Sequence, residues 1–275
     1  MTGDMEIVCI GNELLIGKIS NTNAQWMSRR ATCLGITVRR TTVVPDEVEE
    51  ISAAICEALQ RKPQFIVMTG GLGPTFDDKT LKGLSKALNR RLEINQEALR
   101  MVKEKYDLYV MKNRIENSEL TPPRVKMATI PEGTKPVPNP VGTAPAVLVE
   151  TTTTVIVSLP GVPSEMEAIF DETVAPMLRN AASNISFYEK RIYADKILES
   201  NMAPIIDQVM LDNPSVYIKS HPRGVESKPH LEIHLSLKAL ESEKPKEKLE
   251  KAASQLARLT AEQGGKVFTE VQSTD

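Results

Sequence analysis

Apolar runs and amphipathic stretches alternate along the first half of the chain. Ile7-Val8-Cys9-Ile10 and Phe65-Ile66-Val67-Met68 are short uninterrupted apolar runs, the pattern of strands buried on both faces. Between them the pattern predicts a helix through Trp26 and Met27, a strand over residues 38–44 and a helix over 48–59. Ile51, Ile55 and Leu59 recur every four residues and fall on one helical face, and Asp46 with Glu49 has the spacing of a capping box ahead of them. A helix over 78–88 and a charged helix over 96–117 continue the series, the latter suited to covering a neighbouring subunit. This alternation predicts an α/β domain with a mostly parallel sheet covered by helices.

Prolines change the pattern. Pro122 and Pro123, then Pro131, Pro136, Pro138, Pro140 and Pro145, preclude a long helix and predict loops and short strands. Residues 146–149 and 155–157 read as a hairpin turned by Thr151 to Thr154, and Ser164 with Glu167 has capping-box spacing before a helix carrying Met166, Ile169 and Phe170. Small polar residues at 180–184 mark a domain boundary. Beyond it a strand over 187–194, a helix over 199–211, a strand over 215–219, a period-two strand through Leu231, Ile233, Leu235 and Leu237, and a helix over 246–263 predict a small α+β domain, completed by a short strand at Val267 and Phe268.

A length of 275 residues with 41% hydrophobic content suits two domains, here 1–180 and 184–275. A net charge of −2 provides no basic field for nucleic acid or acidic membranes, so a small or self-associating partner fits better. No apolar run approaches the roughly 20 residues of a membrane span and no secretory leader opens the sequence, so a cytoplasmic protein is expected. Cys9, Cys33 and Cys56 are odd in number and widely spaced in apolar surroundings, which suits reduced structural thiols.

The densest chemistry lies at residues 68–80. Gly70, Gly71 and Gly73 follow a strand and let the backbone turn sharply and approach a ligand, while N–H groups at the next helix start attract anions. Asp77 and Asp78 would repel a phosphate unless a divalent cation lay between them. The alternative is purely structural, with Thr75 as an N-cap and Asp78 as an acidic third helical residue. Asn12 and Glu13, which follow the first strand, should reach the same sheet edge, and Ser20, Asn21, Thr22 and Asn23 read either as site residues or as caps for the helix containing Trp26. His230 and His234 lie on a strand with their anchor points roughly 13 Å apart, too far for a shared metal, and read as solvated outer-face residues. His221 sits in a loop with no partner nucleophile in the sequence.

Residues 11–23, 69–80, 139–145 and 160–166, taken in order, closely resemble the CinA-type competence/damage-inducible family. The resemblance covers nearly the whole chain. It implies a three-layer MoaB/Mog-like molybdopterin-binding domain over 1–180 and a small KH-like domain over 184–275. The activity it implies is metal-dependent hydrolysis of a nucleotide pyrophosphate such as ADP-ribose; molybdopterin binding or adenylyl transfer in molybdenum cofactor biosynthesis is the alternative. On this resemblance Gly70, Gly71, Gly73 and Thr75 would meet phosphate, and Asp78, with Asp77 beside it, would hold Mg2+ or another divalent cation. Asn12, Glu13, Asn139, Gly142, Gly161 and Glu165 would line the rest of the crevice, with a nucleotide or molybdopterin as ligand; independently of the resemblance, the apolar positions and the charged long helix suggest a homo-oligomer.

There are departures from the family pattern. Asn12 stands where an acid is frequent, Phe76 where a polar residue is common and Ala146 where glycine is usual. Nicotinamide-nucleotide amidase activity, which full-length CinA proteins carry in a further C-terminal domain, is not expected of this sequence. A non-catalytic nucleotide sensor or nucleic-acid module is the third reading. It is disfavoured by a second domain with 13 Lys and Arg against 14 Asp and Glu and no Gly-x-x-Gly clamp.

Overall fold

The computed structural model describes residues 3–183, 185–224 and 229–269. The chain divides into two compact units, Met1–Ser183 and Asn184–Asp275. In the first, the order is β1 (Asp4–Ile10), α1 (Asn12–Leu15), α2 (Thr22–Cys33), β2 (Thr37–Val44), α3 (Val48–Arg61), β3 (Phe65–Thr69), α4 (Thr80–Ala87), β4 (Leu92–Ile94) and α5 (Gln96–Met111). It continues with α6 (Pro122–Lys126), β5 (Thr129–Pro131), β6 (Lys135–Val137), β7 (Ala146–Glu150), β8 (Val155–Leu159), α7 (Pro163–Ile169), one π-helical turn (Phe170–Val174) and α8 (Ala175–Ala181).

Six strands form one sheet in the order β2-β1-β3-β8-β7-β6. The first four are parallel; β7 runs antiparallel to β8, and β6 to β7. Their apolar runs are continuous because each strand feeds two cores. Met5, Ile7, Cys9, Phe65, Val67 and Val157 point to the side covered by α2, α7 and α8, while Val8, Ile10, Ile66, Met68 and Ile156 point to the side covered by α3, α4 and α5. The result is the expected three-layer α/β domain. One charge interrupts the second core: Glu6, only 4% exposed, takes the Arg61 fork at 2.8 and 2.7 Å, the bidentate geometry that makes a buried carboxylate tolerable.

Local signals mislead at four helix ends. Asp46 does not cap α3; the N-cap residue is Glu47, which makes no side-chain cap bond. Asp77 and Asp78 precede α4 rather than occupying its first turn. The charged helix stops at Met111 instead of 117, because Asn113 takes a left-handed conformation with φ 52° and its N–H returns to Val110. Ser164 does not cap α7 either, since Val162 is the N-cap residue and Pro163 supplies a preset first helical φ. Asn21 does cap α2, accepting from Ala24 N at 3.1 Å. Cys9 is buried and Cys56 half-buried, whereas Cys33 is exposed and so has no packing role.

The second unit contains β9 (Ser186–Asp195), α9 (Glu199–Asp212), β10 (Tyr217–Pro222), β11 (His230–Ala239), α10 (Pro245–Glu262) and β12 (Lys266–Phe268). Its antiparallel sheet has the order β10-β11-β9-β12. Ile192, Leu231, Ile233 and Leu235 pack against Met202, Val209, Leu249 and Leu256 of the helices. β10 starts at Tyr217 rather than 215, because Val216 N closes a turn onto Asn213 O. The histidines differ from the solvated residues expected. His230 pairs with Asp195 at 2.6 Å, and His234 bridges Glu189 and Glu232, both at 2.8 Å. Glu232 is 7% exposed and also meets Arg191 and Arg223, which explains how a carboxylate survives under that surface.

Candidate active-site cleft

In a parallel sheet the carboxyl ends of the strands share one edge, and there the first unit opens a cleft of about 440 Å3. The turns after β1, β2, β3 and β8 build it, and their backbones are laced together. Gly11 N donates to Val44 O at 3.1 Å, and Gly70 N to Leu159 O at 3.1 Å. Gly70 is required twice over. Its φ is 106°, and a Cβ there would lie 2.2 Å from the Ile10 carbonyl oxygen.

Glu13, Gly70, Gly71, Gly73, Asp77, Asp78, Gly161 and Glu165 line this cleft, and so do Ser20, Asn21, Thr22 and Asn23, which the sequence left between site and cap roles. Four others, Asn12, Thr75, Asn139 and Gly142, do not line it but bond to or pack against residues that do or that neighbour it. Thr75 N donates to Asp78 Oδ2 at 2.8 Å, and the Thr75 hydroxyl meets both Asp77 Oδ1 and Asp78 Oδ2. One hydroxyl proton can serve only one of these carboxylates at a time. The Asn12 backbone N–H donates to Asp46 Oδ2 at 2.9 Å. Asn139, 4% exposed, donates from Nδ2 to Glu165 Oε2 at 2.7 Å and to Ala144 O at 2.9 Å, while its Oδ1 accepts from the Val141 and Gly142 N–H groups. Gly142 leaves room for that arrangement, since a Cβ there would sit 2.1 Å from the Glu165 carboxyl carbon.

The glycine loop divides its labour. Gly70 commits its N–H to Leu159 and therefore cannot offer it to a phosphate. The N–H groups of Gly71, Leu72 and Gly73 have no acceptor among the described residues, and these are the donors the turn presents. Lys126 fixes the loop from outside through the carbonyls of Gly73 (3.0 Å) and Thr75. Burial holds its ammonium below the usual lysine range, with Asp78 opposing that effect.

Sequence spacing misses Asp46, Lys126 and the role of Asn23. Burial pushes the Asp46 carboxyl up, against the opposing hydrogen bond from Asn12, and the neighbouring charges of Glu13, Asp77 and Asp78 push it further. Asp77 moves the other way because the Thr75 hydroxyl stabilises its ionised form. Asn23 ties two turns together, donating from Nδ2 to Thr69 Oγ1 at 3.1 Å and Gly161 O at 2.8 Å. Thr69 gives its own proton to Pro160 O, so the Asn23 amide orientation is fixed and its buried Oδ1 has no partner among the described residues.

Among the described residues no three His, Cys, Asp or Glu side chains form a ready metal cage. The donor chemistry nevertheless suits a hard cation. Two carboxylates crowd around a single hydroxyl, burial and then the charges of Glu13, Asp77 and Asp78 raise the pKa of Asp46, and Mg2+ characteristically takes only one or two carboxylates and completes its shell with water and phosphate oxygens.

Comparison with known proteins bears on the fold that carries this cleft. Residues 6–180 match the family model described as a probable molybdopterin binding domain. A protein of Pyrobaculum arsenaticum is 44% identical over 260 residues, covering 94% of this chain and 95% of its own. One from Caldivirga maquilingensis is 47% identical over 252 residues, covering 91% and 94%. Among solved structures, a CinA protein of unknown function from Thermoplasma acidophilum matches with a TM-score of 0.57 and 40% identity, over 63% of this chain and 98% of that one.

Proposed function

The chain belongs to the CinA-like family built on the MoaB/Mog-type molybdopterin-binding domain, and on that premise we propose that its cleft hydrolyses a nucleotide pyrophosphate such as ADP-ribose with a divalent cation. One observation carries the proposal: Asp77 and Asp78 share the Thr75 hydroxyl beside a turn whose Gly71, Leu72 and Gly73 N–H groups have no acceptor among the described residues. Such a turn receives phosphate oxygens, and the carboxylates beside it receive the cation that the phosphates bring.

Asp78, with Asp77 beside it, would hold Mg2+, and Asp46 and Glu13 supply the surrounding negative charge. When bound, the ion neutralises charge developing on the phosphoryl oxygens. Gly71, Leu72 and Gly73 orient the phosphates through their N–H groups, Thr75 sets the two aspartates, and Asn139 sets Glu165 across the cleft. A water oxygen bonds to one phosphorus, the bond from that phosphorus to the bridging oxygen breaks, and AMP and ribose 5-phosphate depart as dianions with release of the water's two protons.

The family match equally supports molybdopterin binding or adenylyl transfer in the same cleft. Incubation with ADP-ribose and Mg2+, and separately with molybdopterin and ATP, distinguishes them: AMP release in the first supports hydrolysis, and adenylylated pterin in the second supports transfer. On either chemistry the protein acts on a small-molecule ligand. The order of elements in the second unit supports a KH-like assignment for it.

A further inference from the structure

Behind the glycine loop lies a second cavity of about 490 Å3, within the range of small-ligand sites. Its walls are largely apolar, formed by Leu81, Leu92, Leu120 and Val125. Gly71, Leu72, Gly73 and Asp78 line both this cavity and the carboxylate cleft, so a single layer of loop backbone separates the two. At its edge Lys82 is exposed and has no hydrogen-bond or ion-pair partner among the described residues, and Lys126 lines the same space.

We infer that this cavity is the subsite for the planar ring of the nucleotide whose phosphates lie in the cleft. The inference rests on the nucleotide-pyrophosphate function proposed above. An anionic phosphate chain crossing the loop would pass the N–H groups of Gly71, Leu72 and Gly73 on its way from the carboxylates to the lysines. Phosphates suit the polar, glycine-lined side, and a flat, weakly solvated ring suits the leucine and valine walls. The Lys82 ammonium finds in the phosphate chain the counter-charge that the described residues do not provide. The loop then measures the distance between ring and phosphate, which selects nucleotides over shorter phosphates.

Two non-hydrolysable probes test this on the whole chain in Mg2+: the methylene-bridged analogue of ADP-ribose, which has a ring, and methylene diphosphonate, which has none. Val125→Trp fills the cavity from α6, and Leu120→Asp places a carboxylate in its half-buried wall; thermal unfolding run in parallel identifies which variant is folded and carries the test. Expected is at least a tenfold loss of affinity for the ADP-ribose analogue, diphosphonate affinity within twofold of wild type, and quenching of the indole introduced by Val125→Trp as the analogue saturates any residual binding. Unchanged affinity for both probes, or an equal loss for both, overturns the subsite. If the wild-type chain binds diphosphonate but not the analogue, the nucleotide function itself fails and the subsite falls with it; wild-type binding of the analogue that survives both substitutions overturns the subsite alone.

Discussion

The carboxylate of Asp46 accepts the backbone N–H of Asn12 at 2.9 Å, joining the turn after β2 to the start of α1 across 34 residues of sequence. That bond holds an acid at the edge of a cleft already carrying Glu13, Asp77 and Asp78, and burial together with those charges raises its pKa. The arrangement costs stability by itself, and on the proposed function it would supply charge to a bound cation.

Asp46→Asn should therefore separate stability from function. The amide oxygen can still accept from Asn12, but the charge is gone. For an acid whose folded pKa lies above its unfolded value, ionisation destabilises the fold as pH rises, and the substitution removes that dependence. In metal-free buffer at pH 7 the variant should gain about 0.5–1 kcal/mol, read as a higher midpoint of thermal unfolding. ADP-ribose turnover should fall by about 100-fold. A destabilised variant would show that Asp46 is structural.

Gly142→Ala tests how Glu165 is placed. The new methyl would lie 2.1 Å from the Glu165 carboxyl carbon, and that side chain can swing away from Asn139 more easily than the backbone can move. Thermal stability should change by less than about 1 kcal/mol, while turnover falls roughly tenfold because a cleft carboxylate is displaced. Unaltered steady-state kinetics would remove Glu165 from the working site.

How far the cleft is legible in sequence depends on whether its contacts are local. The glycine turn after β3 is legible because an apolar strand followed by three closely spaced glycines constrains the backbone within a dozen residues. Asp46 is not: its spacing to Glu49 is fully explained by a capping box, and only the folded chain shows Asn12 as its partner instead. Lys126 follows a proline pair in a segment read as loop, and its amine reaches carbonyls more than 50 residues earlier. Asn23 was identifiable as polar and near a helix start, but Asn21 takes the capping position and frees Asn23 to bind the turns after β3 and β8. The sheet itself is easier, since strands buried on both faces announce themselves as unbroken apolar runs.

The second unit has its own pH signature. Hydrogen bonds from His234 and then Arg223 hold Glu232 down at about 2, from an ordinary value of 4.5. An acid with a depressed folded pKa contributes stability that is fully present above pH 4.5 and disappears as pH falls toward 2. Glu232→Gln should cost about 1–2 kcal/mol at pH 7, the arginine partners being partly solvent-screened. The variant should also lose less further stability than wild type between pH 4.5 and 2. Circular dichroism melts across that range check both; parallel curves for the two proteins would contradict the assignment.

The most direct measurement is AMP release from ADP-ribose by the purified chain in Mg2+, compared with the Asp78→Asn variant and with wild type in excess chelator. AMP and ribose 5-phosphate should appear in equal amounts, stop on chelation and resume when Mg2+ is restored. In the variant, release should fall by at least about 100-fold with the fold intact, because Asp78 is the carboxylate set by Thr75 beside the glycine turn. Absence of AMP release from wild type with Mg2+ present, or equal release from the Asp78→Asn variant, would contradict the account.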